Sequence, residues 1–107
     1  FFNTEGVCLF VTWDANDAAW RSRPRGREVV RTRCRIPGNF LAEGGISVLV
    51  VISSQGPAEI HLMEYDTVVF HVVDPSDGEG VRGDWGGDWP GAVRPMLEWE
   101  AKGEPLP

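Results

Sequence analysis

The chain has 107 residues, 42% of them hydrophobic, with 16 acidic against 10 basic side chains and a net charge of −6. This describes one small globular domain rather than a disordered chain, and 13 glycines with 8 prolines exclude a helix bundle. The charge is uneven: residues 21–35 hold seven of the ten basic residues and one acid, a local +6, so the other 92 residues carry −12.

Taken in chain order, Phe1-Phe2 runs into Asn3-Thr4-Glu5-Gly6, a four-residue turn with Asn first and Gly last. Residues 7–13 follow as a β-branched and aromatic strand. A hairpin this close to the terminus needs a strand ahead of it, and only two apolar residues of that strand are there. The chain is therefore expected to be the later part of a domain whose first strands lie upstream. Residues 14–20 (DANDAAW) predict a helical turn capped by Asp14.

Residues 28–36 alternate cleanly, with Val30, Thr32, Cys34 and Ile36 on one face and Arg31, Arg33 and Arg35 on the other. That pattern predicts a half-buried antiparallel strand with a cationic outer face. After a turn over 37–45, residues 46–54 are apolar on both faces and predict a central or covered strand. Gln55-Gly56-Pro57 turns the chain; 58–63 predicts a weaker strand and 67–73 a stronger one. Residues 74–91 form a long loop of Gly, Asp and Trp, the kind of connection that carries function. Residues 93–100 predict a closing strand with Leu97 and Trp99 facing in, and 102–107 a disordered tail. Five or six short strands without a βαβ pattern make an antiparallel β-sandwich over residues 1–101.

Composition also limits partners. An acidic protein with one narrow basic stripe repels phosphate backbones, so nucleic-acid binding is not expected. No apolar run is long enough to span a bilayer, and neither membrane insertion nor a signal peptide is expected. Cys8 and Cys34 lack CxxC or Cys/His spacing for a metal; a reduced compartment is the simpler reading, with a single disulfide left open.

Four segments carry a resemblance in order along the chain: GVCLFVTWD (6–14), CRIPGNFLAEG (34–44), FHVVD (70–74), and RGDW followed by WPGAVRPMLEW within 82–99. Together they resemble the C-terminal domain of the ATP-binding subunit of O-antigen and related polysaccharide ABC exporters, the Wzt C-terminal domain family. The resemblance implies a jelly-roll or immunoglobulin-like β-sandwich acting as a carbohydrate-binding module. It implies recognition of a lipid-linked polysaccharide at the cytoplasmic face of the bacterial inner membrane, beside the exporter's transmembrane subunit. It further implies a homodimer, since such exporters work with paired ATP-binding subunits. This chain has no GxxxxGK[ST], so any ATPase lies outside these residues.

Sugars are bound by flat aromatic faces against their C–H faces and by polar groups on their hydroxyls. Asp84-Trp85 and Asp88-Trp89 supply both twice, among glycines that permit close approach. Trp20, Arg31 and Arg33 are further candidates, the arginines for an acidic sugar or a terminal phosphate. The competing reading of the tryptophans is as lids folded over a core, and of the arginines as a solvated strand face that discourages edge aggregation. Asp74, Asp77, Glu79, Asp84 and Asp88 invite a glycosidase reading, but no His or nucleophile motif accompanies them. A calcium loop at 74–79 misses the D-x-[DN]-x-[DN]-G pattern. No catalytic residue, metal or cofactor is assigned, and His61 and His71 are read as packing or surface residues. Alternatively, the chain is a structural or dimerisation module of the exporter that binds no sugar.

Overall fold

The computed structural model describes residues 1–75 and 78–107, so the parts of the calcium-loop and acid-cluster readings that fall on Ser76 and Asp77 lie outside the described residues. Three strands form one antiparallel sheet in the order β1-β2-β3: β1 (Phe2–Asn3), β2 (Gly44–Ser54) and β3 (Glu59–Val72). One short helix, α1 (Ala18–Ser22), follows a 3₁₀ turn at Asp14–Asn16. The described residues are thus all-β in character.

The Asn3–Gly6 turn forms as its residues predict. Asn3 Oδ1 accepts from the N–H groups of Glu5 (3.0 Å) and Val7 (2.9 Å), and Gly6 takes φ +77°, a conformation that favours glycine. The helical turn also forms, but its cap is Asp17, whose carboxylate accepts from Trp20 N–H at 3.1 Å; Asp14 instead accepts the Trp20 indole N–H at 2.7 Å.

β2 and β3 carry most of the architecture. Their register runs from Gly44↔Val72 at one end to Ser54↔Glu59 at the other, with the turn at 55–58 between. The two predicted strands 58–63 and 67–73 are one strand here. The break between them is a bulge: Leu49 alone lies between Val48↔Val68 and Val50↔Glu64, opposite Tyr65, Asp66 and Thr67, and Asp66 takes φ +51°. Two aromatic contacts support the base of the sheet, Phe1 stacked on Phe10 at 4.3 Å and Phe10 edge-on to Phe40 at 5.7 Å, and Leu41 and Ile46 are buried.

The other predicted strands form no ladder. Residues 7–13 make one bridge (Phe2↔Cys8), residues 28–36 make none, and residues 93–100 make one (Leu41↔Val93). Alternation sets up two-faced strands, but a ladder also needs a neighbouring edge, and these segments find none. Trp99 is 90% exposed and Leu97 67%, so neither faces into a core as the pattern predicts. The accessible surface of 9342 Å² compares with about 5,900 Å² for a compact monomer of this mass. The radius of gyration of 19.4 Å compares with about 13 Å for a compact domain of this length. Five or six strands closed into a sandwich are not what the described residues form; they form an open three-stranded sheet with long arms.

Candidate functional site

The register explains why charged groups meet at one end of the sheet. Because Gly44 pairs with Val72, the residue before β2 (Glu43) and the residue two past β3 (Asp74) emerge at the same end. The Leu41↔Val93 bridge, with Arg94 N–H donating to Phe40 C=O at 2.6 Å, brings the far end of the tryptophan loop to that point. Arg94, only 4% exposed, places Nη1 2.6 Å from Asp74 Oδ2 and also against Glu43. Arg82, at the near end of the loop, lies 3.0 Å from the same Asp74 oxygen and 3.2 Å from Glu43. The hydrogen bond from Arg94 is the chief reason the Glu43 carboxyl is held below its ordinary value, even though Glu43 is nearly half exposed.

Both arginines also reach back into the loop. Arg94 Nη2 donates to Trp89 C=O at 2.8 Å, and Arg82 Nη1 donates to Gly87 C=O at 3.4 Å. Between these anchors Trp85 donates its indole N–H to Asp88 C=O at 3.3 Å. A Cβ on Gly87 would sit 2.8 Å from Cζ2 of Trp85, so the indole is laid against glycine backbone. Trp85 is nonetheless 58% exposed, and Asp84 and Asp88 of the same loop are exposed as well. Trp89 is half-buried. Beside the clip is a cleft of about 410 Å³ walled by Phe40, Phe70, Val72 and Val81, with Asn39 and Asp74 at its polar side. That volume is in the range of small-molecule sites.

The remaining candidates lie elsewhere. Trp20 is occupied by its own neighbours: the Arg25 guanidinium sits 3.8 Å from its ring centroid and that of Arg23 5.2 Å away. Among the described elements α1 packs only against the 3₁₀ turn before it. Arg23 forms a two-pronged pair with Glu28 at 2.8 Å, which raises the Arg23 pKa and lowers that of Glu28. Arg31 and Arg33 are exposed on an unpaired segment, and no described contact ties them to the Trp85 loop. The structure therefore brings together Asp84, Trp85, Asp88 and Trp89, but neither Trp20 nor Arg31 and Arg33.

Sequence reasoning missed the clip. Arg94 is a lone arginine between Val93 and Pro95, and nothing in that context marks it as buried. Cys8 and Cys34 are both free and exposed. Among the described residues no three His, Cys, Asp or Glu side chains group as metal ligands, and no helix is long and apolar enough to cross a membrane. No family, curated protein or solved structure matches the chain.

Proposed function

We propose that this chain is a carbohydrate-binding module, part of a jelly-roll or immunoglobulin-like domain that selects a lipid-linked, O-antigen-type polysaccharide for an ABC exporter at the cytoplasmic face of the inner membrane. The observation that supports the reading is Trp85. Its indole rests on Gly87 and is 58% exposed, on a loop that also carries the exposed Asp84 and Asp88 and is tied at both ends by Arg82 and Arg94. A rigidly held aromatic face with hydrogen-bonding groups at its rim is what a sugar ring requires. The module acts without catalysis or cofactor; ATP hydrolysis and translocation belong to the rest of the exporter. Titration with the organism's own polysaccharide and with unrelated glycans tests this. Saturable binding to the cognate polymer that Trp85→Ala removes supports it, and silence toward every glycan overturns it.

A second reading, a dimerisation module that positions exporter subunits, is favoured by a different observation. Val51, Ile52, Ile60, Leu62, Met63 and Val69 on β2 and β3 are all 40% or more exposed, and apolar surface of this extent marks a contact surface. In that reading a second copy of the chain covers the sheet, with residues 93–100 exchanged between copies. The unpaired state of that segment and the exposure of Leu97 and Trp99 support the exchange.

A further inference from the structure

The charges around Trp85 restrict which sugars suit it, an inference that rests on the carbohydrate-binding reading. Two arginines flank the loop, and by sequence either is a natural partner for an acidic sugar. In the folded chain both are taken. Arg94 is 4% exposed and the Arg82 side chain 9%, and each is paired with Asp74 and Glu43. Among the described residues both guanidiniums are thus held by carboxylates at the loop base, with little surface left to meet a ligand. The groups that do face outward are Asp84 and Asp88, both exposed; among the described residues neither carboxylate has a side-chain partner.

An ionised carboxylate only accepts hydrogen bonds. It suits ligand O–H groups and, more strongly, an N⁺–H group, because charge-assisted bonds are about twice as strong as neutral ones. A uronate or phosphate brought to this loop meets two like charges that no described side chain pairs, the arrangement by which binding sites exclude a wrong ligand. We infer that the Trp85 platform takes a neutral or amino-sugar segment and rejects an acidic one. Arg82 and Arg94 are positioning residues that shape the loop without touching the glycan.

The test uses the full chain, titrated with glucosamine oligomers, neutral mannose oligomers and galacturonate oligomers while indole fluorescence and heat of binding are followed. Expected is binding in the order glucosamine, mannose, galacturonate. The glucosamine advantage should shrink when salt is raised to about 0.2 M. Replacing both Asp84 and Asp88 by Asn should remove most of that advantage, about tenfold in affinity, because the charge-assisted bonds are lost, while mannose, which loses only neutral hydrogen bonds, is weakened less than glucosamine. Trp85→Ala separates binding at the platform from general attraction of a cation to an acidic protein: it should abolish the first and spare the second. Galacturonate binding as tightly as glucosamine, or an unaltered preference in the double Asn variant, overturns the charge assignment while leaving carbohydrate binding standing. No saturable binding to any of the three, with Trp85→Ala indistinguishable from the parent, overturns this inference, and silence toward the organism's own polysaccharide as well overturns the carbohydrate reading with it.

Discussion

Arg94 and Asp74 meet across 20 residues of chain, Nη1 to Oδ2 at 2.6 Å, and Arg94 is the single buried charged side chain among the described residues. The pair joins the end of β3 to the end of the tryptophan loop, with Glu43 from the start of β2 as third member and Arg82 as fourth. Four residues scattered between positions 43 and 94 thus become one clip because the sheet register delivers both carboxylates to the same edge.

Arg94→Ala is expected to lower stability by about 3 kcal/mol, since it leaves Asp74 with one cation fewer and opens a gap where a large side chain was buried. Glu43→Gln should lower it by less than about 1 kcal/mol, because that carboxylate is 44% exposed and screened by water. Urea unfolding followed by tryptophan fluorescence measures both. Arg94→Lys should recover only part of the loss, having no planar fork to hold Asp74 and Trp89 C=O together.

The clip should also respond to acid. Hydrogen bonding from Arg94 holds the Glu43 carboxyl below its ordinary value of 4.5, so its contribution is complete above that value and disappears as pH falls through the lowered folded-state value. Glu28 is shifted the same way by Arg23 on the open surface, but it is common to both proteins in the comparison. Urea midpoints of the parent and Glu43→Gln, compared from about pH 6 to about pH 3, are therefore expected to converge as the solution is acidified. A gap that does not narrow as the pH falls refutes the role given to Glu43.

Gly87 offers a finer probe of the platform. Its missing side chain is what lets the Trp85 indole lie down, because an added Cβ would come within 2.8–2.9 Å of three ring atoms. Gly87→Ala should push the indole off its seat, shift its fluorescence and weaken glycan binding about as much as Trp85→Ala. Global stability should change little, since the loop lies outside the sheet. An unchanged emission spectrum would show that the indole is not held there.

Local signals were legible in the sequence where the chemistry is local. Asn3 and Gly6 specify their turn by side-chain acceptance and a positive φ, and the apolar run at 46–54 specifies β2. The gap predicted between strands 58–63 and 67–73 is a bulge within one strand, at residues 65–67, since a turn-like Asp66 can be absorbed opposite a partner strand. Residues 28–36 and 93–100 alternate yet form no strand, because alternation reports only that a segment has two faces, and pairing depends on an edge supplied from elsewhere. The Asp84–Trp89 cluster is legible as a candidate because aromatic, acidic and glycine residues fall together in sequence. The clip is not, because Glu43, Asp74, Arg82 and Arg94 become neighbours only through long-range register.

The far end of the hairpin leads to the last prediction. Val51 pairs with Met63 across the ladder, and Ile52 with Leu62, so the two pairs lie on opposite faces of the sheet. All four side chains are 40–53% exposed, which leaves both faces bare at the same level. Each such side chain forgoes about 1.5–3 kcal/mol of burial at most, which favours association. A second copy related by a two-fold axis lays one face of each sheet on the other and cannot cover both. Light scattering at micromolar concentration is expected to give twice the 11.8 kDa chain mass. Val51→Lys and Ile52→Lys then act as a matched pair: one, on the covered face, should give monomer, and the other should leave the dimer intact. A monomeric parent rules out self-association through this sheet. Dissociation by both substitutions means that contacts on both faces are needed, and a single two-fold face-to-face contact is then the wrong geometry.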